Sequence, residues 1–449
     1  MSYARRWRSL ALALLLASGI ASPAPAVPQP PAAPSLPSAF DDVDDVPLPD
    51  PDLWQRIRMG FRLEPLDSPL VAEHEAWYSS RPEYIKRFVD RGSLYLHYIV
   101  EQVEKRGMPM EIALLPVVES AFNPLAYSRG KASGIWQFIP STGKNFGLKQ
   151  DWWKDNRRDI IAATDAALNY LQRLHDMFGS WELALAAYNC GEGCVSRAIA
   201  SNQRKGLPTD LTSLKLPPET QNYVPKLIAV KNIVLSPASY GIDLESVPDE
   251  PYFTTVQAPP KIDVKVAAQL AGMSQEEFVA LNPAHTKPVA AGTGTFILPV
   301  DKVDTFRANL ESYDKPLVSW TTYSAHKGES LDAIARKHHL TAGQLKAANG
   351  DVRLDKRGRL RTASLVMVPM GAKAAQPMKV ASLSTERLAD PAPAAPAPAT
   401  SGTRFYVVRS GDTLYGIAVR FRTAVERLLD LNSLAAGAVL HPGLKLRIQ

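Results

Sequence analysis

Glu119 is the residue whose surroundings first suggest chemistry. From Ile112 to Val118 the chain carries no charge at all, and a carboxylate follows. Pro109 is a good first helical residue. Beyond it, Ile112, Leu115 and Glu119 are spaced i, i+3, i+7, which is one helix face. The spacing predicts a glutamate on the apolar side of a buried helix, close to its C-terminal end. Burial disfavours the anion, and the negative end of the helix dipole pushes the same way, so this carboxyl is expected to titrate above the ordinary range. A carboxylic acid kept protonated is what general-acid catalysis uses. The same pattern also suits a glutamate that opens a surface loop, and perturbed acids mark sites only statistically.

Two further stretches carry suitable residue types. Ser133-Gly134-Ile135-Trp136-Gln137-Phe138 is a small-residue turn followed by an aromatic and an amide. Close backbone approach, a stacking surface and amide hydrogen bonds are what a glycan cleft needs. Ala187-Tyr188-Asn189 puts two polar tips at the end of an apolar run that starts at Trp181, with Ser180 as a plausible N-cap and Gly191 as a stop. Taken singly, each of these is more often packing than site.

The elements that must position these residues belong to a chain of 449 residues with a formal charge of +6. That length allows two to four domains. Ordinary hydrophobic and charged fractions exclude wholesale disorder. The mild basic excess suits an anionic polymer without choosing among nucleic acid, membrane and cell wall. Arg5, Arg6 and Arg8 precede an apolar run from Leu10 to Ala17 and a small-residue zone, the layout of a signal peptide over 1–26. The run is too short to span a bilayer. Prolines crowd 27–52 and again 371–403, which reads as two linkers. Helical spacing fills 53–106 and 107–250.

The C-terminal part repeats. Tyr323, Gly328, Leu331, Ile334, Ala335, Leu345 and Asn349 recur, all offset by 83, as Tyr406, Gly411, Leu414, Ile417, Ala418, Leu428 and Asn432. A weaker copy lies 67 residues upstream, with Val264, Ala267, Ala268, Phe278 and Asn282 in register with Leu331, Ile334, Ala335, Leu345 and Asn349. The pattern reads strand, glycine turn, two short helices, strand. Small repeated units on linkers suggest multivalent binding, or else a spacer.

The copies at 321–370 and 404–449 resemble the LysM module, a small α+β (βααβ) domain that binds N-acetylglucosamine-containing glycans. The opening Tyr406-Val407-Val408-Arg409-Ser410-Gly411-Asp412-Thr413-Leu414 carries the resemblance most closely. The degenerate copy at 252–300 lacks the glycine turn, which leaves two roles open: glycan binding, or covering the catalytic domain. Upstream, Glu119-Ser120, Gly134-Ile135-Trp136-Gln137, Ala187-Tyr188-Asn189 and Glu219-Thr220-Gln221-Asn222-Tyr223-Val224-Pro225-Lys226 occur in the order of the lytic transglycosylase motifs. That resemblance, strongest to the membrane-bound murein branch of the family, implies an α-helical, goose-type-lysozyme-like catalytic domain.

The resemblance further implies that Glu119 is the catalytic acid and base. Ser120 and Ser133 would orient it, and Gln137, Tyr188, Asn189 and Tyr223 would position the sugar. The implied reaction cleaves peptidoglycan between N-acetylmuramic acid and N-acetylglucosamine and closes a 1,6-anhydro ring. Two alternatives stay open: a hydrolytic muramidase, which would call for a second carboxylate not obvious in the motifs, and a non-catalytic peptidoglycan-binding protein. No cofactor or metal is expected, because there is no phosphate loop, no nucleophile elbow and no His/Cys cluster at metal spacing. Nucleic-acid partners and a transmembrane helix are not expected either. An exported, periplasmic, wall-associated protein is, although the lipid-attachment cysteine common in that family is missing near the N-terminus. Cys190 and Cys194, four apart, lie within disulfide range if the spacing is helical, and an exported protein can oxidise them.

Overall fold

A computed structural model describes residues 52–370, apart from 293 and 351, and scattered residues between 405 and 447. The signal-peptide reading, most of the first linker, the second linker and much of the last repeat fall outside the described residues.

The first half is helical. Its elements are α1 (Leu53–Met59), α2 (Pro69–Ser79), α3 (Pro82–Gly92), α4 (Leu96–Lys105), α5 (Leu115–Ser120), α6 (Pro140–Asn145), α7 (Ile160–Phe178), α8 (Trp181–Cys190), α9 (Glu192–Arg204) and α10 (Pro218–Leu235). They enclose one core containing Trp54, Phe88, Tyr95, Phe122 and Trp136. Helix α10 runs through it and packs on α2, α8, α5 and α1. A buried ion pair fixes its far end. Lys231 approaches Glu111 at 3.4 Å, while the Glu111 carboxylate accepts from the amides of Arg62 and Leu63 and Lys231 donates to the Leu63 carbonyl. Burial of such a charge pair is tolerable only with the remaining polar atoms satisfied in this way.

The helix expected from Pro109 is instead two pieces. Met110–Leu114 is a 3-10 helix, and α5 follows it. Pro116 has no amide to give the Ile112 carbonyl, so that carbonyl accepts from Leu115 in the tighter i to i+3 pattern. Glu119 accordingly lies near the end of a six-residue helix and is half-buried, while Ser120 is fully buried.

Past α10 the chain enters the degenerate copy. Strand β1 (Phe253–Gln257) pairs antiparallel with β4 (Thr295–Pro299), and β2 (Lys261–Asp263) with β3 (Val289–Ala291). Helices α11 (Val264–Leu270), α12 (Gln275–Leu281) and α13 (Val303–Glu311) contribute Ala267, Phe278 and Phe306 to a shared core. Strand alternation splits β4 between two cores: Phe296 and Leu298 point into the copy's own, and Ile297, with Phe253 and Leu281, joins that of the helical domain. Tyr95 adds a hydrogen bond from its hydroxyl to the Ala280 carbonyl, 2.9 Å.

The next copy has the expected order: β5 (Trp320–Ala325), a turn at Gly328 with φ +85°, α14 (Leu331–Lys337), α15 (Ala342–Ala348) and β6 (Ser364–Pro369) antiparallel to β5. In the last copy, β7 (Phe405–Val407) pairs with β8 (Lys445–Arg447). One asparagine closes each copy. Asn282, Asn349 and Asn432 donate to the carbonyl four residues back and to that of Ile297, Met367 and Arg447. Each also accepts from the amide of that same closing-strand residue.

Candidate active site

Glu119, the penultimate residue of α5, faces α10 and α8. The Tyr223 hydroxyl, from the second turn of α10, donates to Glu119 Oε1. The Glu119 charge also reaches Tyr188 on α8. Both phenols are held well above their ordinary range, first by burial and next by the Glu119 carboxylate. These tyrosines therefore remain neutral donors at any physiological pH. Directly after Ser120, Ala121 and Phe122 have φ of 47° and 55°, left-handed values that cost a side-chain-bearing residue energy. Their amides accept that geometry by bonding to the Val117 and Pro116 carbonyls, which turns the chain sharply away and leaves Glu119 at the bend.

The 131–138 loop forms the neighbouring wall, and donors hold nearly every carbonyl of its turn. Ser120 Oγ donates to Ile135 O at 2.9 Å, Tyr188 OH to Trp136 O at 2.9 Å, and Gln137 Nε2 to Gly134 O at 2.7 Å. Trp136 is fully buried and donates from its indole to Thr164. Gly134 is required twice over, by its φ of +81° and because a Cβ there would stand 2.2 Å from the Arg157 carbonyl oxygen.

The residues expected at the site fall into two groups. Glu119, Tyr188 and Tyr223 converge. Asn189 joins them at the edge, with its Oδ1 accepting from Thr220 at 2.7 Å and its amide 3.5 Å from Glu219. Ser120 and Ser133 are both fully buried. Ser120 bonds to backbone carbonyls, and Ser133 Oγ accepts from Arg158 Nε at 2.9 Å, so both hold the walls where orientation of the acid was expected. Gln137 turns its amide onto its own loop. Trp136, whose ring suggested a stacking surface, is core.

Sequence reasoning missed several members. Glu219 is an exposed carboxylate whose charge acts on Tyr223. It lay in a quoted motif, yet nothing in the motif's spacing shows that the first turn of α10 meets the end of α8. Arg157 and Arg158 were equally unmarked, although the run Asp155-Asn156-Arg157-Arg158-Asp159 is dense in charge for a segment entering a buried helix. The pair Cys190–Cys194 is bonded, with Cα atoms 5.8 Å apart. Contrary to the helical spacing assumed for it, the bridge crosses the break at Gly191 between α8 and α9.

Among the described residues no group of three or more His, Cys, Asp or Glu is placed to hold a metal, and no helix is long and apolar enough to cross a membrane.

Known proteins match this arrangement. The family described as Transglycosylase SLT domain matches residues 98–209. The LysM domain matches 323–356 and 406–449, and the family described as Lytic transglycosylase MltD, LysM-like domain matches 252–315. Membrane-bound lytic murein transglycosylase D of Escherichia coli (strain K12) is 34% identical over 415 residues, covering 89% of this chain and 86% of that protein. A putative tributyltin chloride resistance protein of Alteromonas sp. (strain M-1) is 43% identical over 148 residues, 33% of this chain and 71% of that protein. Among solved structures, an inactive variant of the lytic transglycosylase Slt from Pseudomonas aeruginosa aligns at 24% identity over 34% of this chain and 26% of its own, with a TM-score of 0.25. With the catalytic-domain match on the helices, the LysM matches on the βααβ copies, and one-third identity across nearly the whole length, the chain belongs to the membrane-bound lytic murein transglycosylase D family, a family of peptidoglycan-cleaving lytic transglycosylases.

Proposed function

We propose that Glu119 alone serves as acid and then base in cleaving the β-1,4 bond between N-acetylmuramic acid and N-acetylglucosamine. The observation that carries this reading is the convergence of two neutral tyrosines on one half-buried carboxyl group. Protonated Glu119 gives its proton to the leaving glycosidic oxygen. The substrate's own 2-acetamido group stabilises the cationic carbon. The Glu119 carboxylate then takes the proton of the muramyl 6-hydroxyl, whose oxygen closes the 1,6-anhydro ring, and no water enters. Tyr223 fixes one carboxyl oxygen by hydrogen bonding, which leaves the other for the proton in transit. Tyr188 spends its proton on the Trp136 carbonyl and so supports the wall. Asn189 borders the same opening.

Glu119→Gln keeps shape and cannot exchange the proton. General acid–base steps are worth about a hundred- to ten-thousand-fold each, so turnover of purified sacculi should vanish while glycan binding persists. Wild-type products, read by mass spectrometry, should be lighter by one water than hydrolysis would give. A hydrolytic reading has one observation in its favour, the exposed carboxylate of Glu219 beside Asn189 and Tyr223, which could activate water. Solvent oxygen from labelled water in the reducing ends would establish hydrolysis and reject ring closure.

The LysM copies support a holding role, keeping the enzyme on N-acetylglucosamine-containing glycan by effective concentration. The basic, apolar and small-residue zones of 1–26 support export to the periplasm.

A further inference from the structure

A continuous run of bonds joins the degenerate LysM-like copy to the wall of the catalytic site. Residues 284–286 lie against 153–155 as a short antiparallel strap: Asp155 N donates to Ala284 O at 2.9 Å, Thr286 N donates to Trp153 O at 3.1 Å, and Lys154 is bridged with His285. Beside it Lys287, 2% exposed, holds its ammonium 4.7 Å above the Trp152 ring. The strap thus fixes the backbone of Asp155. The Asp155 carboxylate in turn grips Arg157 at two points, Oδ1 to Nε at 2.9 Å and Oδ2 to Nη2 at 2.7 Å. Arg157 is buried, and its remaining nitrogen, Nη1, donates to Phe138 O at 3.0 Å and to Lys131 O at 2.5 Å. Those two carbonyls are the ends of the 131–138 loop, and the Arg157 carbonyl itself lies against Gly134.

We propose that Arg157 is a positioning residue for the transglycosylase site, and that the LysM-like copy at 252–315 sets it through the 284–286 strap and Asp155. In this scheme the copy belongs to the catalytic scaffold and the two later copies are the tethers. A planar fork pinned on one side by a carboxylate has its other donor directed, which a lysine cannot reproduce. Loop 131–138 carries the Ile135 and Trp136 carbonyls that Ser120 and Tyr188 hold, so a shift at its ends moves both neighbours of Glu119. Displacement of a site wall by about 1 Å costs on the order of a hundredfold in rate.

The inference rests on Glu119 being the reacting acid. The test therefore includes Glu119→Gln, and activity in that variant rejects the site reading whatever the others do. Arg157→Lys, Asp155→Asn and Lys287→Met are made in the full chain, and turnover of a short soluble glycan is measured against folded fraction by circular dichroism. Arg157→Lys and Asp155→Asn are expected to lower kcat about ten- to a hundredfold with KM within about threefold, and the double variant to be no worse than the poorer single. Lys287→Met, outside the catalytic domain, is expected to lower kcat in the same direction. Should Arg157→Lys fail to fold, the other two variants decide. Wild-type kcat in folded Asp155→Asn or Lys287→Met, or a loss of rate that only follows a loss of folded protein, overturns the proposal.

Discussion

The Tyr223 hydroxyl donates to the carboxyl group of Glu119 across 104 residues of sequence. One partner is the penultimate residue of a six-residue helix and the other stands in the second turn of α10, so the bond exists only because α10 threads the core. Its consequence for rate is direct. Tyr223→Phe keeps the ring and removes the donor, which frees the carboxyl to rotate. Turnover of short glycans should fall about ten- to a hundredfold, with KM little changed. Wild-type turnover in folded Tyr223→Phe would remove this bond from the mechanism.

The tethering role of the later copies is separable by truncation. Leu317 packs on the core of the first copy, and Ser319 donates from both its amide and its hydroxyl to Asp263 Oδ2. A cut near Tyr313, as repeat spacing alone would suggest, strips those contacts. A cut after Ser319 keeps them. The shorter protein should bind sacculi more weakly and digest them more slowly, with turnover of short soluble glycans within about twofold of wild type, because effective concentration acts only on a polymer that holds both sites. Equal impairment on short glycans would place the later copies within the active site.

His285 makes the strap acid-sensitive. Burial and then the Lys154 charge push its pKa down to about 3, and its Nδ1 is buried with no hydrogen-bond partner. In the unfolded chain the same imidazole titrates near 6.5. As pH falls from about 6.5 toward 3, the unfolded chain takes up a proton that the folded protein refuses, so stability is lost over that window and is unaffected above it. At pH 5 the cost is roughly 2 kcal/mol. Melting temperatures at pH 7.5 and pH 5 should therefore differ less in His285→Gln than in wild type. An unchanged difference would mean that the imidazole is protonated in place.

The Cys190–Cys194 bridge closes a small loop directly after Asn189. Protein unfolded without reductant should show no free thiol, and replacing both cysteines by serine should lower stability by roughly 2 kcal/mol, the loop-closure value for so short a ring. Two titratable thiols per chain would contradict the bond.

Much of this was legible before any coordinate. The Ser180 cap and Gly191 stop of α8 followed from residue type, and Ser180 does accept from the Leu183 amide. The offsets of 83 and 67 found the repeated units because each has the same small core to fill. Glu119 stood out because uncharged neighbours precede it. What stayed hidden depended on long-range meeting. The helix before Glu119 broke at Pro116, where a missing amide outweighed the apolar period. Ser120 and Ser133 had the chemistry of site residues and became wall supports, since a hydroxyl's partner is set by which chain passes nearby. Asp155 and Arg157 carried no mark in the sequence, because their partners, residues 284–286 and the ends of the 131–138 loop, are distant in the chain. Likewise Ile297 looked like part of a repeat's own strand, while the pleat turns it toward the helical core.

The asparagine that closes each repeat hydrogen-bonds to its partner strand through that strand's backbone amide and carbonyl. Such a clasp carries no label. Asn349 would hold the amide and carbonyl of Arg447 as readily as those of Met367, and Asn432 the reverse. Correct pairing during folding must therefore come from elsewhere: from the shorter loop to a copy's own strand, which closes at less entropic cost, and from core residues such as Val366 and Val368, which must fit their own helices. Strand exchange between copies, or between two chains, is the characteristic misfolding hazard of such a design. The first copy escapes it differently, because Ile297 is committed to the helical core and its closing strand is not free to leave.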